Sequence, residues 1–200
     1  MLPETMPVCP VRGSVIYPTM VMPIDAGRPI SIRAIDEALA RDRVLLIVSQ
    51  RDKEVETPRP SDLFEVGTAC NILKMRKNPD GSVQVLVQAF ARVRVREWLD
   101  LGDHLEARGE VLADEPGEPI LVKALVREVK DKFQALLKEG KYLAPEVAQF
   151  ILNLEDPSQL ADYVAFHMDF RLEDKQKVLE TANVAERLRA LVAEAVAPRK

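Results

Sequence analysis

Side chains able to do chemistry are few in this chain, and they are scattered. His104 and His167 are the only histidines, and Cys9 and Cys70 the only cysteines. A metal centre draws its ligands from short spacings such as Cys-x-x-Cys or His-x-x-x-His, and neither occurs. His104 follows Asp103 near a strand start and reads as an exposed polar residue. His167, between Phe166 and Met168 on a helical stretch, reads as a packing or surface residue. The carboxylates are spread along helices and loops as solvated faces, and no nucleophile has a base placed beside it. Cys9 and Cys70 lie in apolar runs. A disulfide between them is open in principle, but buried free thiols in a cytosolic protein are the expectation. The reading is therefore of a chain with no catalytic, cofactor-binding or metal-binding residues.

Two other constellations could bind something. Arg92, Arg94 and Arg96 alternate with Val93 and Val95, which puts three cations on one strand face. A nucleic-acid surface of this kind needs interleaved aromatics and a basic balance. Glu97 and Asp100 lie close by and the net charge is −4, so a solvated outward face is the favoured reading and nucleic acid the alternative. The second constellation is Tyr17, Pro18, Met20, Val21, Met22 and Pro23, with Met75 near a hairpin tip. Methionine is flexible and polarizable and suits promiscuous surfaces. These residues either cap a core or form one partly exposed apolar patch that catches unfolded chains. The substrate-site expectation rests on the second alternative, with the prolines holding the loop in shape.

The elements that must position these residues are organised around Val66 to Arg96. Asn78-Pro79-Asp80-Gly81 predicts a type I turn closed by a glycine at positive φ. Beyond it Val83, Val85 and Val87 alternate with polar or outward positions, as a strand does. Before it Ala69, Ile72 and Leu73 alternate less cleanly. The expectation is a long hairpin that runs on past Ala89. Met6–Val11 is a strand candidate, and its Pro7 and Pro10 suggest an edge or a strand end. Residues 15–24 read as a loop leading into a strand, and 31–41 as a short amphipathic helix. Residues 43–50 read as a strand buried on both faces, 51–62 as an exposed loop, and 104–112 as one more strand.

The pattern changes at Ala113-Asp114-Glu115-Pro116-Gly117-Glu118-Pro119, an acidic, proline-containing stretch that predicts a boundary. Helical spacing follows over 121–138, stopped by Gly140. Pro145 opens another helix, and Asp156-Pro157 caps the next. Residues 173–181 form a short helix, and Asn183 with Glu186 resembles a capping box for the last. The domain expectation is thus a β-rich lobe over 1–113, a linker over 114–119 and a helical bundle over 120–200. The apolar share of 47% suits a globular chain. No run approaches the ~20 apolar residues of a membrane span. The N-terminus lacks a basic region followed by an apolar core, so no secretory signal is expected and cytoplasm is the default compartment.

The β-rich half resembles the N-terminal domain of bacterial Lon protease, the ATP-dependent endopeptidase La. The resemblance is carried by YPTMVMPI, GRPISI, DLFEVGT and NPDGSVQVLV in this order, and in the second half by LADYVAFH at 160–167 and ERLRAL at 186–191. Gly13 departs from the family, which usually has an aspartate after the arginine. The resemblance implies an α+β fold, a PUA-like β-rich lobe followed by a helical subdomain, and a non-catalytic role in recognising unfolded or damaged polypeptides. A structural spacer supporting hexamer assembly is a further alternative. The resemblance also implies an AAA+ ATPase using ATP and Mg2+, and a Ser–Lys protease, in a homohexameric whole protein. No G-x-x-x-x-G-K-[ST] phosphate loop occurs here. The chain is thus expected to be an excised domain that is not itself an enzyme.

Overall fold

The computed structural model describes residues 1–140 and 143–196. The chain divides into two compact units, the first Met1–Leu112 and the second starting at Ala113. The first holds β1 (Met6–Val11), β2 (Val21–Ala26), α1 (Pro29–Ala40), β3 (Val44–Ser49), a 3-10 turn (Pro60–Asp62), β4 (Val66–Lys77), β5 (Val83–Asp100) and β6 (Leu105–Val111). The second holds α2 (Pro119–Lys138), α3 (Pro145–Leu152), α4 (Pro157–His167), α5 (Leu172–Glu180) and α6 (Val184–Val196). The fold is α+β. Any continuation of α6 towards Lys200 lies outside the described residues. No described helix is long and apolar enough to cross a membrane.

The strands run in the order β2-β5-β4-β3-β1-β6, and a further β5–β6 pairing closes β5-β4-β3-β1-β6 into a barrel. Strand β5, 18 residues long, makes this closure. Its first part lies between β2 and β4, and its last part between β4 and β6. At the hairpin tip Gly81 has φ +89°, and its N–H donates to the Asn78 carbonyl at 3.0 Å. The Asp80 carboxylate accepts from Ser82 N–H at 2.9 Å. Proline, aspartate and glycine thus act at the positions their chemistry suits.

Strand β1 lies between β3 and β6 in the strand order, but only Val8 is flanked on both sides. The strand pairs with β6 over Met6–Val8 and with β3 over Val8–Val11. Each proline lies where only one neighbour flanks the strand, so β1 tolerates a missing donor at both. Two apolar clusters fill the lobe. One packs Ala34, Ile35 and Ala38 of α1 against Ile24, Val85 and Val87. The other gathers Met6, Leu46, Val93 and Leu105 inside the closed part.

In the second unit, Glu118 caps α2 by accepting from Ile120 and Leu121 N–H, and Asp156 caps α4 through Ser158 N–H. Asn183 Oδ1 accepts from Glu186 N–H at 3.1 Å, while the Glu186 carboxylate pairs with Arg189. The stretch before α2 belongs to this unit: Glu115 bridges to Asn183, and its carbonyl accepts from Val184 N–H.

Close packing of the barrel is visible at Gly67. A Cβ there would lie 2.6 Å from the Ile47 carbonyl oxygen and 2.7 Å from Val48 Cγ2. Gly67→Ala is expected to cost about 1–3 kcal/mol in urea unfolding. Gly27→Ala, with nothing within 4 Å of the added atom, serves as the control and leaves the midpoint close to that of the parent chain.

Candidate functional site

The residues anticipated as one exposed patch separate in the structure. Tyr17 is 0% exposed and Met20 4%, which corrects the expectation that both are partly exposed and fits the core-capping alternative for these two. The segment before β2 is stapled across the end of the sheet. Thr68 Oγ1 donates to the Ile16 carbonyl and Ser49 Oγ to that of Ser14, each at 2.6 Å. Pro18 and Thr19 form the centre of a turn in which Met20 N–H reaches the Tyr17 carbonyl at 3.4 Å. Thr19 takes φ +74°, a conformation uncommon for a β-branched residue. Thr19 N–H donates to the Ala89 carbonyl and Ala89 N–H to the Met20 carbonyl. Held this way, Tyr17 and Met20 turn inward. Pro18 and Met22 are half-buried, and Val21 and Pro23 are exposed.

Met75 is 36% exposed, but it does not join Val21. It stands opposite Val85, whose row continues to Ile24 on the face that packs under α1. Val21 stands opposite the exposed Gln88 on the other face. The predicted single patch therefore does not exist as such.

What the sequence reading missed are two bulges. Ala69 and Cys70 pair with Ala91 and Ala89, leaving Phe90 extra on β5. Ile72 and Lys74 pair with Val87 and Leu86, leaving Leu73 extra on β4. Each bulge breaks the strand's alternation just after the extra residue, which itself keeps the outward phase of Asn71 or Gln88. Both extra residues are large, apolar and exposed, Leu73 by 44% and Phe90 by 36%. Each lies two residues from the row Val21–Gln88–Asn71. Val21, Leu73 and Phe90 thus form the exposed apolar set on the β2–β5–β4 section, with Lys74 and Arg76 alongside on β4. The broken alternation around Leu73 was the available signal.

The arginine ladder is not an open basic face. Arg92 is 3% exposed, Arg94 is half-buried, and Arg96 occupies a third bulge and pairs with Glu110 at 2.9 Å. The closed barrel flanks this part of β5 on both sides, which a hairpin alone would not do.

His104 is also corrected: it is buried, not exposed. Its Nδ1 lies 2.7 Å from Asp103 and its Nε2 2.8 Å from Glu106. Glu37 brings a third donor, so ligand atoms of Glu37, His104 and Glu106 lie within 4.8 Å of one another. This cluster already contains a cation, since Arg41 reaches Glu106 at 2.7 Å and Glu37 at 3.7 Å. Burial pushes the Glu106 carboxyl up, but Arg41 and His104 outweigh it and hold the group below its usual value. Hydrogen bonds from His104 and Arg33 hold Asp103 below its own. Cys9 and Cys70 are buried free thiols, and burial pushes Cys9 up to about 11 and Cys70 higher still. Neither is poised as a nucleophile.

Residues 5–194 match the family of ATP-dependent protease La (LON) substrate-binding domains. The chain is 99% identical over 192 residues to Lon protease 2 of Thermus thermophilus, covering 96% of this chain and 24% of the relative. It is 40% identical over 187 residues to Lon protease of Escherichia coli K12, covering 94% and 24%. It thus spans about a quarter of the length of these relatives. Among solved structures, the N-terminal domain of a Mycobacterium avium complex Lon protease is similar at a TM-score of 0.78 and 26% identity. That match covers 96% of this chain and 98% of the other.

Two outcomes follow. Met20→Ser is expected to destabilise by about 2–5 kcal/mol, while Val21→Ser changes stability by no more than about 0.5 kcal/mol; urea unfolding of each variant checks both. The second concerns acid. A carboxyl depressed on folding stabilises fully above the ordinary carboxylate range, and that contribution is lost as pH falls through its folded value. Arg41→Met takes away a partner that keeps Glu106 depressed, so the acid-unfolding midpoint followed by circular dichroism should move to higher pH.

Proposed function

This chain belongs to the family of ATP-dependent protease La (LON) substrate-binding domains, and on that premise we propose that it captures exposed apolar segments of unfolded or damaged proteins. The observation that carries the reading is the exposure of Leu73 and Phe90, each the extra residue of a bulge, on the outward face that also carries Val21. An isolated apolar side chain at a protein surface is ordinary. Two on bulges of adjacent strands, close to a third, make a surface that engages many sequences.

The energetics fit loose, reversible capture. Full burial of an aliphatic or aromatic side chain contributes roughly 1.5–3 kcal/mol, less the ordering cost of the bound segment. A few such anchors give a dissociation constant on the order of 10–100 μM. Several copies in a homohexamer would strengthen this by avidity. In the proposal the whole protein is a cytoplasmic ATP-dependent serine endopeptidase. ATP and Mg2+ serve its ATPase module, and this chain, which lacks a phosphate loop, supplies polypeptide recognition alone.

The test titrates the 200-residue chain with native and unfolded forms of one protein, read by NMR. The unfolded form should bind, with shifts centred on Val21, Leu73 and Phe90, and the native form should not. Leu73→Ser combined with Phe90→Ser should weaken binding about tenfold with little change in unfolding midpoint. Equal response to both forms, or none to either, overturns the proposal in favour of a spacer role.

A further inference from the structure

The barrel leaves one gap in its wall. The pairing of β1 with β6 ends at Val8, while its pairing with β3 runs on to Val11. β2 stands at the end of the strand order and pairs with β5 alone. Both strands therefore present an open edge. A groove of about 350 Å³ lies between them. Met22 to Ala26 form one wall, and Pro10, Val11 and Arg12 the other. A groove beneath one face of a strand meets every second residue, so walls of consecutive residues mark strand edges.

The hydrogen-bond phase identifies what faces the groove. Ala89 N–H donates to the Met20 carbonyl at 2.8 Å. With the register Met22↔Val87 and Ile24↔Val85, the main-chain groups of Val21, Pro23 and Asp25 then face away from β5. Pro23, the residue without an N–H, falls on that open side. On β1, the Val11 carbonyl accepts from Gln50 N–H on the β3 side. The Pro10 carbonyl faces the groove, where Arg28 Nη2 donates to it at 2.9 Å.

The charge of the groove points the same way. Arg12 and Arg28 line it against a single carboxylate, Asp25, which accepts from Gln84 Nε2 at 3.0 Å. The exposed carboxylate of Glu56, on the loop after β3, sits on Arg12 at 3.0 Å and is held below its usual value by that guanidinium. An exposed pair of this kind is weakly held, so a carboxylate from another chain can take the place of Glu56.

We infer that this groove takes an extended polypeptide segment carrying a carboxylate, added as a strand between β1 and β2. The inference rests on the reading of the chain as a binder of unfolded polypeptide and names how such a segment is held. The main chain at Val21, Pro23 and Asp25 offers hydrogen bonds that ask nothing of the side-chain sequence, and Arg12 takes the acid. Native proteins have their strands already paired, so the edge selects unfolded segments.

The experiment uses the 200-residue chain with three probes: an unfolded protein, a capped hexapeptide alternating valine with glutamate, and the same hexapeptide N-methylated at alternate residues. The plain hexapeptide should bind with amide shifts at Val21, Asp25 and Arg12. N-methylation, which removes main-chain donors and keeps the side chains, should weaken it at least tenfold. Arg12→Gln should weaken it several-fold and flatten its salt dependence. Asp25→Pro, which removes a groove-facing N–H and leaves the β5 ladder intact, should do so about tenfold. The N-methyl comparison on the parent chain stands even where a variant fails to fold. If the unfolded protein binds while the hexapeptide is indifferent to methylation or shifts residues elsewhere, the groove is overturned and the recognition reading survives. If neither binds, both fall.

Discussion

The β-rich unit depends on one strand serving both the open section and the closed section of a single sheet. β5 pairs with β2 and β4 at its start and with β4 and β6 at its end. A strand of 18 residues that stayed regular would hold its partners in one twisted sheet. The bulges at Phe90 and Arg96 let it turn from the open section into the closed barrel. The bulges also mark the exposed apolar set. The residues left out of the pairing, Phe90 on β5 and Leu73 on the neighbouring β4, keep the outward phase of Gln88 and Asn71 and stay exposed, and the alternation breaks just after each.

The same strand sets the other open feature. Because β2 pairs only with the first part of β5, and β6 only with the last, the gap beside β1 is filled at one end and empty at the other. The segment leading into β2 cannot float over that end, since the core beneath would be wet. It is pinned by hydroxyls of Ser49 and Thr68 and by the turn at Thr19, and Tyr17 and Met20 become core residues. The held turn accepts a left-handed threonine, a conformation that persists only where surrounding bonds determine it.

The helical unit has its own keystone in Arg187, which is 0% exposed. Its guanidinium donates to Asp114 at 2.8 Å, to Ser158 Oγ at 2.7 Å and to the Thr181 carbonyl, with Asp162 at 3.7 Å. A buried cation is tolerable only with partners of this quality. Here they come from the stretch before α2, from α4 and from the turn before α6. Arg187 lies in the ERLRAL motif, yet nothing in that spacing distinguishes it from the exposed Arg189 two residues on.

The sequence by itself determined whatever depends on neighbours a few residues apart. The Asn78–Gly81 turn follows from a proline, an aspartate and a glycine in fixed positions. The cap at Asp156 follows from a carboxylate within reach of two free N–H groups. The α+β division follows from a change of apolar period near Ala113. Tertiary structure alone decided which side chains are buried. Tyr17 and Met20 look like an exposed loop until β5 staples them down. Arg92 looks like an outward cation until the barrel closes around it, and His104 a surface residue until α1 brings Glu37 and Arg41 against β6. Pro7 and Pro10 read as edge markers, and only the change of partners between them shows which side of β1 is open at each. Local conformation is set by short-range sterics and hydrogen bonds that a sequence carries on its face. Burial is set by pairings between residues far apart in the chain, such as Val8 with Leu46 or Val21 with Gln88, and periodicity does not encode which distant strand will be the partner.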